Sequence, residues 1–549
     1  VGGHLGEAPP IAAADSCTMR VLIFHGYLLA GTGSNVYNAE LTQALVGLGH
    51  EVHLLCQDRH PERAAFVDAA GDWDTGPLTV VPLRDGPRRC IVYRPAIGDL
   101  LPVYVQDRYE GMQARTFADC SDEEIDGYTE ANVAAVREVA QLVRPDVALA
   151  NHLVMGPVIL ARALRGIAPY AVKVHGSALE YTVKPELPRF LPFAREGIAG
   201  ARGVLVGSRH TAESLWEALG EDWVREHRVV ERTRLGPPGV DVRAFGPRSS
   251  RQAAAGLKAL AQRLGEVAAR EPEGQGATAP PADAFARDEA RAAQALSDLD
   301  AGEGPVVAYI GKLIVSKGVD LLLAAWPLVL QRLPSARLAI VGFGAFQEAL
   351  EAMANDLTVG RLDAVAEAAQ AGRALEGGPR APLSHLLAFV DALAGDQRDC
   401  YLAAAALLAD SVRFTGRLDH EELADLLPAC EAVVVPSTFP EAFGMVAVEA
   451  AACGALPISA AHSGLAEVSD RLAAAVCEPA ASWLSFPVDD QAIWAIADRL
   501  IGWLTAPSQT RADASAAIVA TVRRLWSWEG VAEGVIAAAQ GRVQELPAS

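Results

Sequence analysis

Residues 432–468 read AVVVPSTFPEAFGMVAVEAAACGALPISAAHSGLAEV, and this stretch constrains the fold more than any other. Val433, Val434 and Val435 are a short apolar run of the kind that forms a strand buried on both faces. Pro436, Ser437 and Pro440 break the run and predict a loop. Helical character resumes near Gly444 and passes through Met445, Val448 and Ala452, with Gly454 and then Pro457 as stop signals. The unit is strand, loop, helix, with Glu441 in the loop and Glu449 inside an otherwise Ala/Val/Met helix. A charge in such a helix needs hydroxyl, amide or cationic partners. Glu441 precedes the amides of Phe443, Gly444 and Met445, and a helix N-terminus attracts anions, phosphate above all. A polyol held by two carboxylates, with phosphate on the amides, describes a nucleotide sugar. A buried helix with one N-terminal acid and one ion-paired Glu describes the same residues more plainly.

The spacing favours the first description. Pro440-Glu441-Ala442-Phe443-Gly444, Glu449, Gly454 and Pro457 together resemble the two-glutamate signature of retaining glycosyltransferases of family four, which have the GT-B fold. The resemblance implies that Glu441 contacts hydroxyls of the donor sugar and that Glu449 contacts the ribose. Ser463-Gly464-Leu465-Ala466-Glu467-Val468 is similar to the segment that follows in that family, with Ser463 where Gly is common.

Upstream, Val21–Phe24 reads as a first buried strand, His25–Gly33 as a loop, Ser34–Leu48 as a helix and Glu51–Cys56 as a second strand. A loop with Gly31, Thr32 and Gly33 at a helix start suits a phosphate. Gly31 and Gly33 with Asp58 also match a dinucleotide fingerprint in part, although Val36 stands where its third Gly belongs. An NAD-dependent oxidoreductase is therefore one rival. The loop also resembles the glycosyltransferases' N-terminal Gly loop facing the donor diphosphate, and this reading is preferred because it agrees with the two-glutamate motif.

Ala171–His175 is a strand ending in His175, and the C-terminal ends of strands are where open α/β sheets bind ligands. His175 matches the family's strand-end histidine near the donor sugar. Residues 97–130, with Tyr104, Arg108, Tyr109 and Tyr128, match its acceptor side or form an ordinary aromatic patch. Pro237–Asp241 with Phe245 resembles the segment that closes the family's first domain. After strand Val306–Ile310 comes Gly311-Lys312-Leu313-Ile314-Val315-Ser316-Lys317-Gly318, where two lysines between glycines suit a diphosphate. The family has Arg where this chain has Lys312. Arg417 lies near the family's base pocket, and Glu529 after Trp526-Ser527-Trp528 matches its last helix, which crosses back to the first domain.

The expected fold is therefore α/β, with two Rossmann-like domains facing across a cleft. The expected divisions are a disordered extension over 1–18, an acceptor-side domain over 19–247, and an Ala/Pro-rich linker or helical insertion over 248–303. A nucleotide-sugar domain over 304–510 follows, with a helical insertion near 357–397, and a crossing C-terminal helix over 511–549. At 549 residues more than one core is expected. A net charge of −21 disfavours nucleic acid as a partner. The eight cysteines form no C-x-x-C pair, so neither a zinc site nor a disulfide scaffold is suggested. No apolar run is long enough to span a bilayer, which leaves only peripheral membrane contact open. Residues 1–18 lack a signal-peptide pattern, and Met19 is expected to be the start.

The resemblance implies retention of configuration and transfer from a nucleotide-diphosphate sugar to an acceptor that the sequence does not name. His175, Glu441 and Lys317 are the expected catalytic residues. Gly31, Thr32, Gly33, Lys312, Arg417, Phe443, Gly444, Met445 and Glu449 are the expected substrate contacts. No cofactor and no metal is expected: Asp72-Trp73-Asp74 and Asp298-Leu299-Asp300 read as solvated loops, the second at the end of a flexible break. The setting is expected to be cytoplasmic. A nucleotide-sugar epimerase or phosphorylase on the same fold, and a non-catalytic nucleotide-sugar sensor, are the remaining rivals.

Overall fold

The computed structural model describes residues 18–74, 76–105, 112–270, 287–300 and 304–549. The proposed extension before residue 18, Arg108 and Tyr109, and the Pro/Gly-rich stretch 271–283 lie outside the described residues.

Two sheets organise the chain. The first has the order Thr233–Leu235, Gly203–Val206, Tyr170–Lys173, Val147–Asn151, Arg20–Phe24, Glu51–Leu55, Cys90–Arg94, Ala69–Asp72, Thr79–Pro82. All neighbours in it are parallel except the last pair, where Ala69 lies opposite Pro82. The second has the order Val412–Gly416, Arg337–Val341, Val306–Ile310, Ala432–Val435, Leu456–Ala460, Ser485–Phe486 and is parallel throughout. Parallel strands need crossover helices on both faces, and the central strands are accordingly Val, Leu, Ile and Ala with almost no exposure. The fold class is the one read from the sequence: α/β, two Rossmann-like units facing across a cleft.

Each sheet has a topological switch point where the chain turns from building one side to building the other. In the first it follows Arg20–Phe24, which pairs with Glu51–Leu55 on one side and Val147–Asn151 on the other. In the second it lies between Val306–Ile310 and Ala432–Val435. Loops at such points leave a crevice beyond the strand ends. These loops are His25–Thr32, Gly311–Gly318 and Pro436–Gly444, the three that the sequence marks with glycines, lysines and Glu441. Gly318 cannot be another residue here. It has φ 65°, and a Cβ would fall 2.0 Å from the Pro436 carbonyl oxygen.

Helix boundaries fall close to expectation. The first helix is Gly33–Gly47, and the helix bearing Glu449 is Met445–Cys453, closed by Gly454 at φ 88°. For 248–303 the sequence leaves both a linker and a helical insertion open, and the described residues on either side of 271–286 form helices. Helices Ser250–Arg270 and Glu289–Asp300 pack on each other and on the second unit, burying Leu257, Leu260, Leu264, Leu296 and Leu299. Asp298 is thus on a helix rather than at a solvated loop end, and its carboxylate meets Arg413 Nε at 2.8 Å. Asp72 ends strand Ala69–Asp72, which is paired on both sides, and with Asp74 it meets Arg94 rather than lying free in a turn. The 357–397 excursion contains helices Leu362–Ala371 and Ser384–Ala392, and Gly395–Ala405 follows them. Helix Gly395–Ala405 docks on helix Val319–Arg332 through Tyr401, whose hydroxyl donates to the Ala324 carbonyl at 2.9 Å.

Helix Ser508–Leu525 stays with the second unit through Ile518 and Val522. The following helix, Trp528–Gln540, makes the crossing and buries Trp528, Ala532 and Val535 against Leu41, Leu45 and Leu205 of the first unit. Among the described residues no helix is long and apolar enough to cross a membrane.

Candidate active site

A cleft of about 960 Å³ opens between the two sheets at their switch points. Each of the expected catalytic and substrate-contact residues lines it: Gly31, Thr32, Gly33 and His175 from the first unit, and Lys312, Lys317, Arg417, Glu441, Phe443, Gly444, Met445 and Glu449 from the second.

Glu441 and Lys317 are in direct contact through Oε1 and Nζ. Ser437 Oγ also donates to Glu441 Oε1, at 2.6 Å, and the Glu441 N–H donates to Ser463 Oγ at 2.9 Å. Burial alone would push the Glu441 carboxyl up. The Lys317 ammonium, with help from Ser437 and His462, holds it below the usual carboxylate range. Burial would likewise lower Lys317, yet the Glu441 carboxylate keeps its ammonium above the usual value. The two groups are therefore a charged pair. The sequence reading gave them separate tasks and did not anticipate that each holds the other. Lys312 Nζ stands 5.8 Å from the centre of the Phe343 ring, and Arg417 donates to Asp419 Oδ1 at 2.6 Å.

Phe443, Gly444 and Met445 form the start of helix Met445–Cys453, whose first-turn N–H groups have no intrahelical acceptor. The start of helix Gly33–Gly47 repeats this arrangement across the cleft, with Thr32 at its cap. One turn into helix Met445–Cys453, Glu449 is 3% exposed, and its partner is His420, whose Nε2 lies 2.9 Å from Glu449 Oε1. His420 Nδ1 is also 3.7 Å from Glu40 of helix Gly33–Gly47. Burial opposes a charge on His420, but Glu449 and Glu40 outweigh it and raise its pKa to about 10. His420 thus links the two units. The sequence showed that Glu449 needed a partner but gave no sign that it lay 29 residues upstream.

On the first sheet, His175 packs between Tyr37, with ring centres 5.2 Å apart, and His152, at 4.8 Å. Burial holds its pKa well below the usual histidine value, and the neighbouring His152, Lys173 and His25 push it the same way, so the ring is neutral. Tyr181 and Phe439 stack across the rim with ring centres 5.0 Å apart. Neither was singled out from sequence, because an isolated aromatic carries no spacing signal. Among the described residues no group of three His, Cys, Asp or Glu side chains is arranged to hold a metal ion.

Several known proteins are similar to this chain in sequence or fold. The family described as Glycosyl transferases group 1 matches residues 357–486 and, through a second profile, residues 304–375. The Glycosyl transferase 4-like domain matches residues 32–232. D-inositol 3-phosphate glycosyltransferase of Segniliparus rotundus is 30% identical over 247 residues, 45% of this chain and 42% of that protein. The GDP-mannose-dependent alpha-(1-6)-phosphatidylinositol monomannoside mannosyltransferase of Mycolicibacterium smegmatis is 35% identical over 170 residues, 31% of this chain and 39% of that protein. The chain therefore matches less than half the length of each of these two relatives. Among solved structures, sucrose-phosphate synthase of Thermosynechococcus elongatus superposes with a TM-score of 0.53 at 19% identity, over 96% of this chain and 98% of that one. Anabaena HepE, solved with UDP and glucose, superposes with a TM-score of 0.54 at 15% identity, over 95% of this chain and 99% of that one. Two family domains in the expected order and a whole-chain likeness in fold agree with the two-glutamate motif: the chain belongs to the group 1 glycosyl transferases and has the GT-B fold.

Proposed function

We propose that the protein transfers a glycosyl group from a nucleoside-diphosphate sugar to an acceptor hydroxyl, with retention of configuration and without a divalent cation. The observation that carries this reading is the convergence of two helix N-termini, Lys312, Lys317, Glu441, Glu449 and His175 on one cleft. A diphosphate is a doubly anionic leaving group, and oriented amides plus two ammonium groups can hold it. The solved likeness to a protein bound to UDP and glucose, and a relative named as GDP-mannose-dependent, support the donor class.

In this reading the bond from the anomeric carbon to the diphosphate oxygen breaks while the acceptor oxygen bonds to the same face of that carbon. The acceptor proton passes to the departing phosphate. Lys317 shifts from Glu441 alone toward the phosphate, which frees one Glu441 oxygen to accept from a sugar hydroxyl. Glu449 accepts from the ribose hydroxyls, and His175 contacts the sugar.

The test is a thermal-shift panel of UDP-, GDP- and ADP-sugars, followed by turnover. A donor at 100 times its Kd stabilises the fold by about 2.7 kcal/mol. Lys317→Ala should then lower kcat by about 10² in a folded protein. Activity should survive excess EDTA. No shift with any nucleotide sugar would remove the donor assignment, and activity lost to EDTA but restored by Mn²⁺ would overturn the metal-free electrostatics.

A further inference from the structure

Beneath the cleft floor runs a chain of buried amides and imidazoles that the reaction scheme does not use. Asn35, Asn38, Asn151 and His25 are each 1% exposed or less. Backbone carbonyls, which only accept, fix the polarity of every link. Asn35 Nδ2 donates to the Ala30 carbonyl at 2.6 Å, so Asn35 Oδ1 is the atom that faces His25. His25 Nε2 lies 3.0 Å from the Leu28 carbonyl and 2.9 Å from Asn35 Oδ1, so Nε2 carries the proton and Nδ1 accepts. Asn38 Nδ2 donates to His25 Nδ1 at 3.0 Å and to the Ser34 carbonyl at 2.8 Å, so Asn38 Oδ1 faces Asn151. Asn151 Nδ2 donates to that Oδ1 at 2.7 Å and to the Phe24 carbonyl at 3.2 Å. Asn151 can therefore present only Oδ1 to His175 Nε2, 3.0 Å away.

We propose that Asn151 is a positioning residue that holds His175 as the neutral tautomer protonated on Nε2, so that the other ring nitrogen, Nδ1, meets the substrate as a hydrogen-bond acceptor. A buried network with all its donors and acceptors matched specifies one arrangement, and a histidine tautomer is set by the partner of its other nitrogen. The chain begins at the Ala30 and Leu28 carbonyls, in the loop that ends at Gly31–Gly33. The orientation of His175 is thereby tied to the loop at the first helix N-terminus. A ligand group that meets His175 must bring a proton of its own, which a sugar hydroxyl does and an unprotonated phosphate oxygen does not. This inference rests on the placing of His175 in the donor site.

The experiment is ¹⁵N NMR of histidine-labelled full-length protein at pH 7, with the His175 signals identified by their loss in His175→Asn. In the wild type, Nε2 should appear as a protonated nitrogen and Nδ1 as an unprotonated one. Asn151→Leu should move His175 toward a mixture of tautomers and lower kcat. Asn151→Asp, which keeps an oxygen against Nε2, should retain the wild-type tautomer. A wild-type His175 protonated on Nδ1, or a tautomer unmoved in Asn151→Leu, overturns the proposal whatever the activity. Addition of the nucleotide sugar that gave a thermal shift should move the His175 Nδ1 signal. If the tautomer is as stated but that signal does not move, the placing of His175 in the site is overturned, and the positioning role falls with it.

Discussion

Lys173 is the residue whose environment is most at odds with its chemistry. It ends a central strand of the first sheet, is 2% exposed, and donates to the Gly236 carbonyl at 2.6 Å. Burial lowers its pKa from 10.5 to about 7. Between these values the unfolded chain binds a proton that the folded chain refuses, so folding stability gains from this group as pH rises from about 7 toward 10.5. The gain from pH 7 to 9 should be on the order of 2 kcal/mol. His420, with its raised pKa, titrates in the opposite sense over this range in both proteins. Urea titrations at the two pH values should therefore show the Lys173 gain as a difference between the wild type and Lys173→Met, whereas parallel pH slopes in the two would mean that Lys173 is solvated. The two glutamates make a second prediction at this scale. Glu449→Gln should weaken binding of the free nucleoside diphosphate, and Glu441→Gln should impair use of the sugar while the nucleotide still binds. Calorimetry with the nucleotide alone separates the roles, and equal losses would contradict them. Both acids were legible because a charge in an Ala/Val helix or just before it stands out. Their partners were not: Lys317 and His420 reach them through the fold of the second unit, and sequence spacing says nothing about which cation meets which acid.

At the scale of elements, strands and helices were legible where apolar runs and glycine stops mark them, as in Val21–Phe24 or the helix read over Ser34–Leu48. What a helical segment braces was not. The sequence assigned no role to residues 357–397, yet Glu376 in the Arg373–Glu376 turn accepts a 2.7 Å hydrogen bond from the Val315 N–H, 61 residues earlier. Val315 opens the 3₁₀ turn Val315–Lys317, so this segment braces the loop that carries the cleft lysine. A hydrogen bond to a charged group contributes about 1.5–3 kcal/mol. Glu376→Ala should therefore raise the KM for the donor about tenfold while circular dichroism stays unchanged. An unaltered KM would show that the loop keeps its shape unaided. Residues 248–303 teach the converse lesson. Their Ala-rich ends announced helices, but the pairing of Leu260 and Leu296 in one core depends on how the two helices lie side by side, which composition does not encode.

The whole molecule is held with its two units in contact along one rim of the cleft. Glu467 of the second unit accepts from the Arg209 and His210 N–H groups, both at 2.9 Å, at the start of helix Arg209–Leu219 in the first unit. A carboxylate at a helix N-terminus is favourable for both charge and hydrogen bonding. Beside it, Ala442 is clasped by glycines from both units. A Cβ on Gly207 would fall 2.5 Å from the Ala442 carbonyl oxygen, one on Gly464 2.6 Å from the Ala442 carbonyl carbon, and one on Gly176 3.3 Å from the Ala442 Cβ. Ala442 sits between Glu441 and Phe443, so this contact sets how far the Glu441 loop can approach His175. Gly207→Ala meets backbone rather than a side chain that could swing away, and the strain is relieved most readily by parting the units. We expect that variant to show a larger radius of gyration by X-ray scattering and a lower kcat/KM. Its unfolding midpoint should change little, because each sheet keeps its own core. Gly127→Ala, where an added Cβ meets nothing within 4 Å, is the control and should match the wild type in both measurements. A Gly207→Ala protein with wild-type scattering and wild-type turnover would show that the glycine clasp does not set the distance between the two halves of the site.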